Sequence, residues 1–218
     1  NPVADATMLG PAQAANMGAS VRGVGDVNND GFDDLAVGVS RYNPGGRPDQ
    51  GGAFIYFGSA SFDITADAVL AIPEPSVNAG ASVAGGRDVN GDGIADVVVG
   101  APGYESNGNF VDEGAAAVFF GGNGALDTAP DAILRSGRAG AAGGASVAIG
   151  DVNGDGFADV ISGSPLNGSA GTAAGAVQIW HGGTGAFDTV VDATFLGIQV
   201  SEDFGRSVAA LPDVNGDG

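Results

Sequence analysis

Asp88-Val-Asn-Gly-Asp-Gly-Ile-Ala-Asp96 is the stretch on which the reading of this chain turns, because it recurs. Copies stand at Asp26-Val-Asn-Asn-Asp-Gly-Phe-Asp-Asp34, Asp151-Val-Asn-Gly-Asp-Gly-Phe-Ala-Asp159 and, cut short, Asp213-Val-Asn-Gly-Asp-Gly218. Their first aspartates are 62, 63 and 62 residues apart. A fixed period of this kind marks a tandem array of one structural unit. The loop itself carries oxygen donors at positions 1, 3, 5 and 9: Asp26, Asn28, Asp30 and Asp34; Asp88, Asn90, Asp92 and Asp96; Asp151, Asn153, Asp155 and Asp159. The truncated copy keeps Asp213, Asn215 and Asp217. Short acids and amides on a tight turn suit hard Ca²⁺, which takes six to eight oxygens. Position 7 is Phe32, Ile94 or Phe157, whose side chains cannot ligate, so those residues would offer backbone carbonyls. Position 6 is Gly31, Gly93 or Gly156, where the chain must bend sharply. Without a cation, the carboxylates of one loop would repel by roughly 1–4 kcal/mol per pair. A solvated Asp/Asn/Gly turn is the bland alternative for one copy; three complete copies in register favour calcium.

Two other calcium modules are excluded by the residues beyond each loop. An EF-hand needs a bidentate acid at position 12 and flanking helices. Position 12 here is Val37, Val99 or Ser162. A dockerin has a similar loop but also wants that acid, a helix after it and a shorter repeat. The loops instead lead into Leu35-Ala-Val-Gly-Val39, Val97-Val-Val-Gly100 and Val160-Ile-Ser-Gly163, β-branched runs that read as strands. The loop therefore belongs in a β-hairpin.

Other landmarks keep the period. Gly18-Ala-Ser-Val21, Gly80-Ala-Ser-Val83, Gly144-Ala-Ser-Val147 and Gly205-Arg-Ser-Val208 precede the loops. Aromatic runs come after them at Ala53–Phe57, Ala116–Phe120 and Val177–His181. Short runs led by an aspartate come last, at Asp5–Leu9, Asp67–Ala71, Asp131–Arg135 and Asp192–Leu196. Four short strands per unit of this length describe a β-propeller blade. The expected fold is all-β: units over 17–72, 79–135 and 143–197, a partial unit over 204–218, and an outer strand of a preceding blade within 1–10.

These landmarks resemble the FG-GAP repeats of integrin α-subunit β-propellers and their bacterial relatives. Phe204-Gly205 and Gly100-Ala101-Pro102 match the family pattern literally, while Met17-Gly18, Ala79-Gly80 and Gly143-Gly144 are degenerate versions. The resemblance covers essentially the whole chain. It implies a metal in the hairpin between strands 1 and 2, and a ring of seven blades, roughly twice this length. It also implies adhesion or ligand binding by an exported or cell-surface protein, with protein or glycan ligands at the face away from the metal loops. The long loops between strands 2 and 3 would supply those contacts, through Arg41, Tyr42, Arg47, Tyr104 and Phe110. Two other readings are a carbohydrate-binding propeller attached to a secreted enzyme, and a calcium-stiffened spacer. Further blades or another chain would be needed to cover the open ends.

The formal charge is −19, and 12 of the 26 acids lie in the four loops. Four bound Ca²⁺ would reduce it to −11, still unsuited to nucleic acid or an anionic membrane, and the chain has no lysine. There is no cysteine, so metal would take the stapling role of disulfides. No apolar run approaches the ~18 residues of a membrane span. His181 and Trp180 fall in register with strand-3 packing residues. No nucleophile–base spacing or phosphate-cradling motif is present, so no catalysis is expected.

Overall fold

The computed structural model describes residues 6–10, 15–61, 63–106 and 111–211. Twelve strands form three four-stranded antiparallel sheets. The first blade holds β1 (Met17–Gly25), β2 (Asp34–Val39), β3 (Ala53–Tyr56) and β4 (Ala68–Leu70). The second holds β5 (Ser82–Arg87), β6 (Asp96–Ala101), β7 (Ala115–Phe119) and β8 (Ala132–Arg135). The third holds β9 (Ser146–Gly150), β10 (Asp159–Ser164), β11 (Ala176–Trp180) and β12 (Ala193–Leu196). In each sheet the strands lie in chain order. The first strands of successive blades lie against each other: β1 contacts β5, and β5 contacts β9. This is the blade arrangement of a β-propeller. One 3₁₀ turn, Pro44–Gly46, is the sole helical segment among the described residues.

The sequence pattern explains the packing. Along β3, Ala53 and Ile55 face the second blade, while Phe54 and Tyr56 pack on the other side. Along β6 and β7 the alternation serves two neighbours. Val97, Val99, Ala117 and Phe119 join the core shared with blade one. Val98, Ala116 and Val118 join the core shared with blade three, around Trp180. Strands covered on both faces read as continuous apolar runs for this reason. Burying Phe119 or Trp180 contributes on the order of 2–3 kcal/mol each.

The small-residue landmarks are the joints between blades. Ser20 Oγ donates to the Gly80 carbonyl at 3.1 Å, Ser82 Oγ to Gly144 at 2.8 Å, and Ser146 Oγ to Gly205 at 2.9 Å. Isolated parallel bridges, Gly51 to Ala79, Gly114 to Gly143 and Gly175 to Phe204, tie each strand-3 entry to the next unit. A Cβ on Gly38, Gly100 or Gly163 would collide with the carbonyl of Gly80, Gly144 or Gly205. Those glycines are there because two backbones approach with no room for a side chain.

Two expected strands are absent among the described residues. Residues 6–10 carry no strand, although Asp5–Leu9 reads as one. Residues 205–208, the counterpart of a first strand, carry none either. Both segments lack a ladder partner among the described residues, and a strand needs one to satisfy its backbone. Position 2 of the loop reports the same boundary: Val27 and Val89 are fully buried beneath the next blade, whereas Val152 is 46% exposed.

Candidate metal loops and their rim

Each complete loop is the turn between the first two strands of its blade, so all three lie at the same end of their sheets. Position 1 shapes the turn. Asp26 accepts the N–H groups of Asp30 and Gly31 at 3.0 and 2.8 Å. Asp88 accepts those of Gly91 and Gly93 at 2.6 and 2.7 Å, and Asp151 those of Gly154 and Gly156 at 2.7 and 2.9 Å. Position 5 closes the next turn: Asp30, Asp92 and Asp155 accept from Phe32, Ile94 and Phe157 at 2.8–2.9 Å. At position 3, Asn28, Asn90 and Asn153 each donate through Nδ2 to the position-5 carboxylate, at 2.9, 3.1 and 2.8 Å. Gly31, Gly93 and Gly156 have φ of 94°, 86° and 94°, so position 6 needs glycine for its backbone angle.

Position 9 has a different task. Asp34 accepts from Val27 N–H at 2.9 Å and Gly58 N–H at 2.7 Å. Asp96 repeats this with Val89 and Gly121, at 2.7 and 2.8 Å. Asp159 repeats it with Val152 and Gly182, at 2.7 and 3.0 Å. All three carboxylates are buried. They sew the loop to the exit of the third strand. Burial pushes the Asp34 carboxyl up despite its two amide partners. Burial pushes Asp96 up to about 7, with Asp92 and Asp88 adding repulsion. Asp155 is held below the usual carboxylate range by the Phe157 N–H and the Asn153 amide.

The donor set is all oxygen and suits a hard cation. Buried Asp96, unfavourable as a bare anion, suits one too. The side chains adopt the amide-satisfied arrangement of the loop. Among the described residues no three acidic or histidine side chains converge on one point, because position 9 is turned toward backbone amides. The fourth loop, with Asp213, Asn215 and Asp217, lies outside the described residues.

The loops are also wired to the neighbouring blade. Gly122 and Gly124 donate to the carbonyls of Val27 and Asn28 at 2.9 and 2.7 Å. Gly183 and Gly185 donate to Val89 and Asn90, both at 3.0 Å. Ala158 N–H reaches the Asp88 carbonyl at 2.9 Å. A cleft of about 240 Å³ between the second and third loops is lined by Arg87, Asp88, Asp151 and Phe157.

Two elements of this rim escape a reading of the loop alone. One is the glycine after each aromatic strand, Gly58, Gly121 and Gly182, which serves position 9. The other is the aspartate leading each fourth strand. Asp67, Asp131 and Asp192 accept from Phe57, Phe120 and His181 N–H, each at 2.7 Å. Both recur with the repeat, and that was the available signal. His181 departs from simple strand packing: its half-exposed ring places Nδ1 3.2 Å from Asp159 Oδ1. Phe57 and Phe120 pack against the blade cores at the same register.

The loops between second and third strands lie at the opposite end of each sheet. Arg41 is exposed. Arg47 is exposed and donates to the Pro73 carbonyl at 2.6 Å. Tyr42 is half-buried, edge-on to Phe54 with ring centroids 5.1 Å apart. Tyr104 is half-buried against the first core, and burial raises its hydroxyl. Phe110 lies outside the described residues. The two tyrosines thus have structural partners, and the two arginines stand farther into solvent. Among the described residues no helix is long and apolar enough to cross a membrane.

The FG-GAP repeat model matches residues 17–56, 79–119 and 143–180. The chain is similar to phosphatidylinositol-glycan-specific phospholipase D of Bos taurus, 30% identical over 202 residues, covering 87% of this chain and 24% of that protein. It is similar to integrin alpha pat-2 of Caenorhabditis briggsae, 29% identical over 215 residues, 89% of this chain and 16% of that protein. It is also similar to integrin alpha-3 of Mus musculus, 35% identical over 133 residues, 59% of this chain and 12% of that protein. The chain therefore spans about a quarter or less of the length of these relatives. With the repeat matched across all three blades, and with its landmarks forming the blade joints and the acidic rim, the chain belongs to the FG-GAP repeat family.

Proposed function

We propose that this chain is a calcium-binding, non-catalytic propeller segment of an exported or cell-surface protein, presenting the end opposite its acidic loops to protein or glycan ligands. The observation that carries the metal half is the threefold repetition of Asp, Asn, Asp and buried Asp on one rim. A bound Ca²⁺ supplies positive charge against which several loop oxygens can be held at once. Asp26, Asn28, Asp30 and Asp34, with the Phe32 carbonyl, would hold it in blade one. Asp88, Asn90, Asp92, Asp96 and Ile94 would do so in blade two. Asp151, Asn153, Asp155, Asp159 and Phe157 would do so in blade three. Position 9 then couples each site to the third strand through Gly58, Gly121 or Gly182. The ligand half draws on the similarity to integrin alpha subunits and on the exposed Arg41 and Arg47. The similarity to a phospholipase favours a second reading, in which the propeller is an accessory segment beside an enzyme.

Metal removal tests the first half. Melting temperature in calcium is compared with that in EDTA. A ligand confined to the folded state stabilises by about 2.7 kcal/mol per site at a hundredfold excess over Kd. Chelation should therefore lower the melt by several degrees, and Asp92→Ala should reproduce part of the loss. An unchanged melt would count against the metal reading. Solid-phase binding to matrix proteins and glycan arrays tests the second half, and absence of any ligand would favour a spacer.

A further inference from the structure

We propose that the flank between blades two and three holds a binding site for a neutral, polyhydroxylated group the size of one sugar ring, with Glu113 as its acceptor. The site is separate from the acidic rim and does not rest on cation binding. It gives a chemical class to the ligand half of the function. A cleft of about 320 Å³ is lined by Ser106, Glu113, Ile133, Arg135, Gly137 and Thr189. That volume sits at the small end of ligand clefts, roughly 300–1,000 Å³.

Glu113 is the informative residue. It is only 2% exposed. Its Oε1 accepts from Gly137 N–H at 2.8 Å, and its Oε2 has no partner among the described residues. Buried carboxylate oxygens are costly to leave unpaired. The repeat shows that packing does not demand an acid here. The counterpart in blade one is Gln50, whose Nε2 donates to the Ile72 carbonyl at 2.6 Å. There the residue after Ile72 is Pro73, which has no N–H. Blade two has Gly137 at that place, with an N–H to satisfy, and Gln178 of blade three donates to the Ser136 carbonyl at 3.3 Å. A glutamine at 113 could accept from Gly137 equally well. Gln50 Oε1 is also buried without a partner among the described residues, so what sets blade two apart is that the unpaired oxygen there belongs to a carboxyl group lining a cleft.

The surroundings select the ligand class. Arg135 lines the same cleft but lies beyond ion-pair distance of Glu113 among the described residues. A cation entering toward Glu113 would meet Arg135, and an anion entering toward Arg135 would meet Glu113. A polyol offers a donor to one and an acceptor to the other, and Ile133 gives an apolar wall for its C–H face. The walls are held in place: Gly137 by Glu113, and Thr189 by Trp180 Nε1, which donates to its carbonyl at 3.2 Å. Among the described residues no aromatic ring lines the cleft, so affinity should be in the millimolar range.

The test is saturation-transfer and chemical-shift titration of the calcium-supplemented chain with methyl α-mannopyranoside, methyl β-galactopyranoside and argininamide. We expect saturable binding of at least one glycoside, weakened tenfold or more by Glu113→Gln and by the exposed change Arg135→Met, with melts unchanged. Argininamide binding lost in Glu113→Gln, with no glycoside binding, would overturn the ligand class. No binding by any probe, or glycoside binding indifferent to both variants, would overturn the site. Calcium uptake by the loops is unaffected by either result.

Discussion

Asp96 shows how one residue type meets two demands. As a loop donor it should be an anion; as a buried acceptor for Val89 and Gly121 it sits where an anion is unfavourable, and its carboxyl is pushed to about 7 from an ordinary 3.8. The folded state then holds a proton between about pH 4 and pH 7 that the unfolded chain releases. In calcium-free protein this contribution to stability is complete below about pH 4. It is lost as pH rises through 7, by at most about 1.4 kcal/mol per pH unit. Thermal melts in EDTA should accordingly rise on acidification from pH 7.5 to pH 5, and Asp96→Asn should flatten the dependence. A melt that falls on acidification, equally in both proteins, would contradict the assignment. The acids and amides of the loop were legible in the sequence because they sit within nine residues. The second task of position 9 was not, because Gly121 lies 25 residues downstream and meets Asp96 only when the third strand pairs.

Among elements, the strands were legible and their ends were not. The runs after each loop and the aromatic runs became β2, β6 and β10, and β3, β7 and β11. Their composition reflects being covered on two faces. The outlying runs at 5–9 and 205–208 have strand-like composition, but a strand is a property of a pair, and composition does not report the partner. The glycines of the second strand were visible as a repeating landmark. Their reason, a neighbouring carbonyl, was not. Gly100→Ala would press a methyl group against the Gly144 carbonyl and Ser82 Oγ. Backbone cannot yield there, so the change should cost about 1–3 kcal/mol or more in denaturant unfolding. Gly122→Ala, with open space around the added methyl, should stay within about 0.5 kcal/mol. Equal effects at the two sites would contradict the joint.

At the scale of the whole molecule, the blades form a chain of couplings. The two larger cores are each built from two blades, and the loops of blades one and two are each hydrogen-bonded to the next blade. The last blade breaks the pattern. Phe195, Leu196, Ile198 and Val200 are 54%, 44%, 82% and 67% exposed, as is Val152 of the same blade at 46%. An apolar face of that kind recruits other surfaces. These 218 residues alone should therefore self-associate with rising concentration in sedimentation velocity, and Phe195→Asp should weaken the association. A monomer at every concentration would show that the face is tolerated in water. The array, the all-β class and the acidic rim could be read from the period of about 62 residues. How the rim couples to neighbouring blades could not, since those bonds join residues far apart in the chain, such as Asp88 with Ala158 and Val27 with Gly122.

Calorimetric titration of EDTA-stripped protein with calcium asks most directly whether the rim binds metal. The complete loops of the three blades should give saturable uptake of three equivalents, and Asp30→Ala, Asp92→Ala and Asp155→Ala should each remove about one. No saturable heat, or uptake indifferent to all three changes, would contradict calcium binding by these loops.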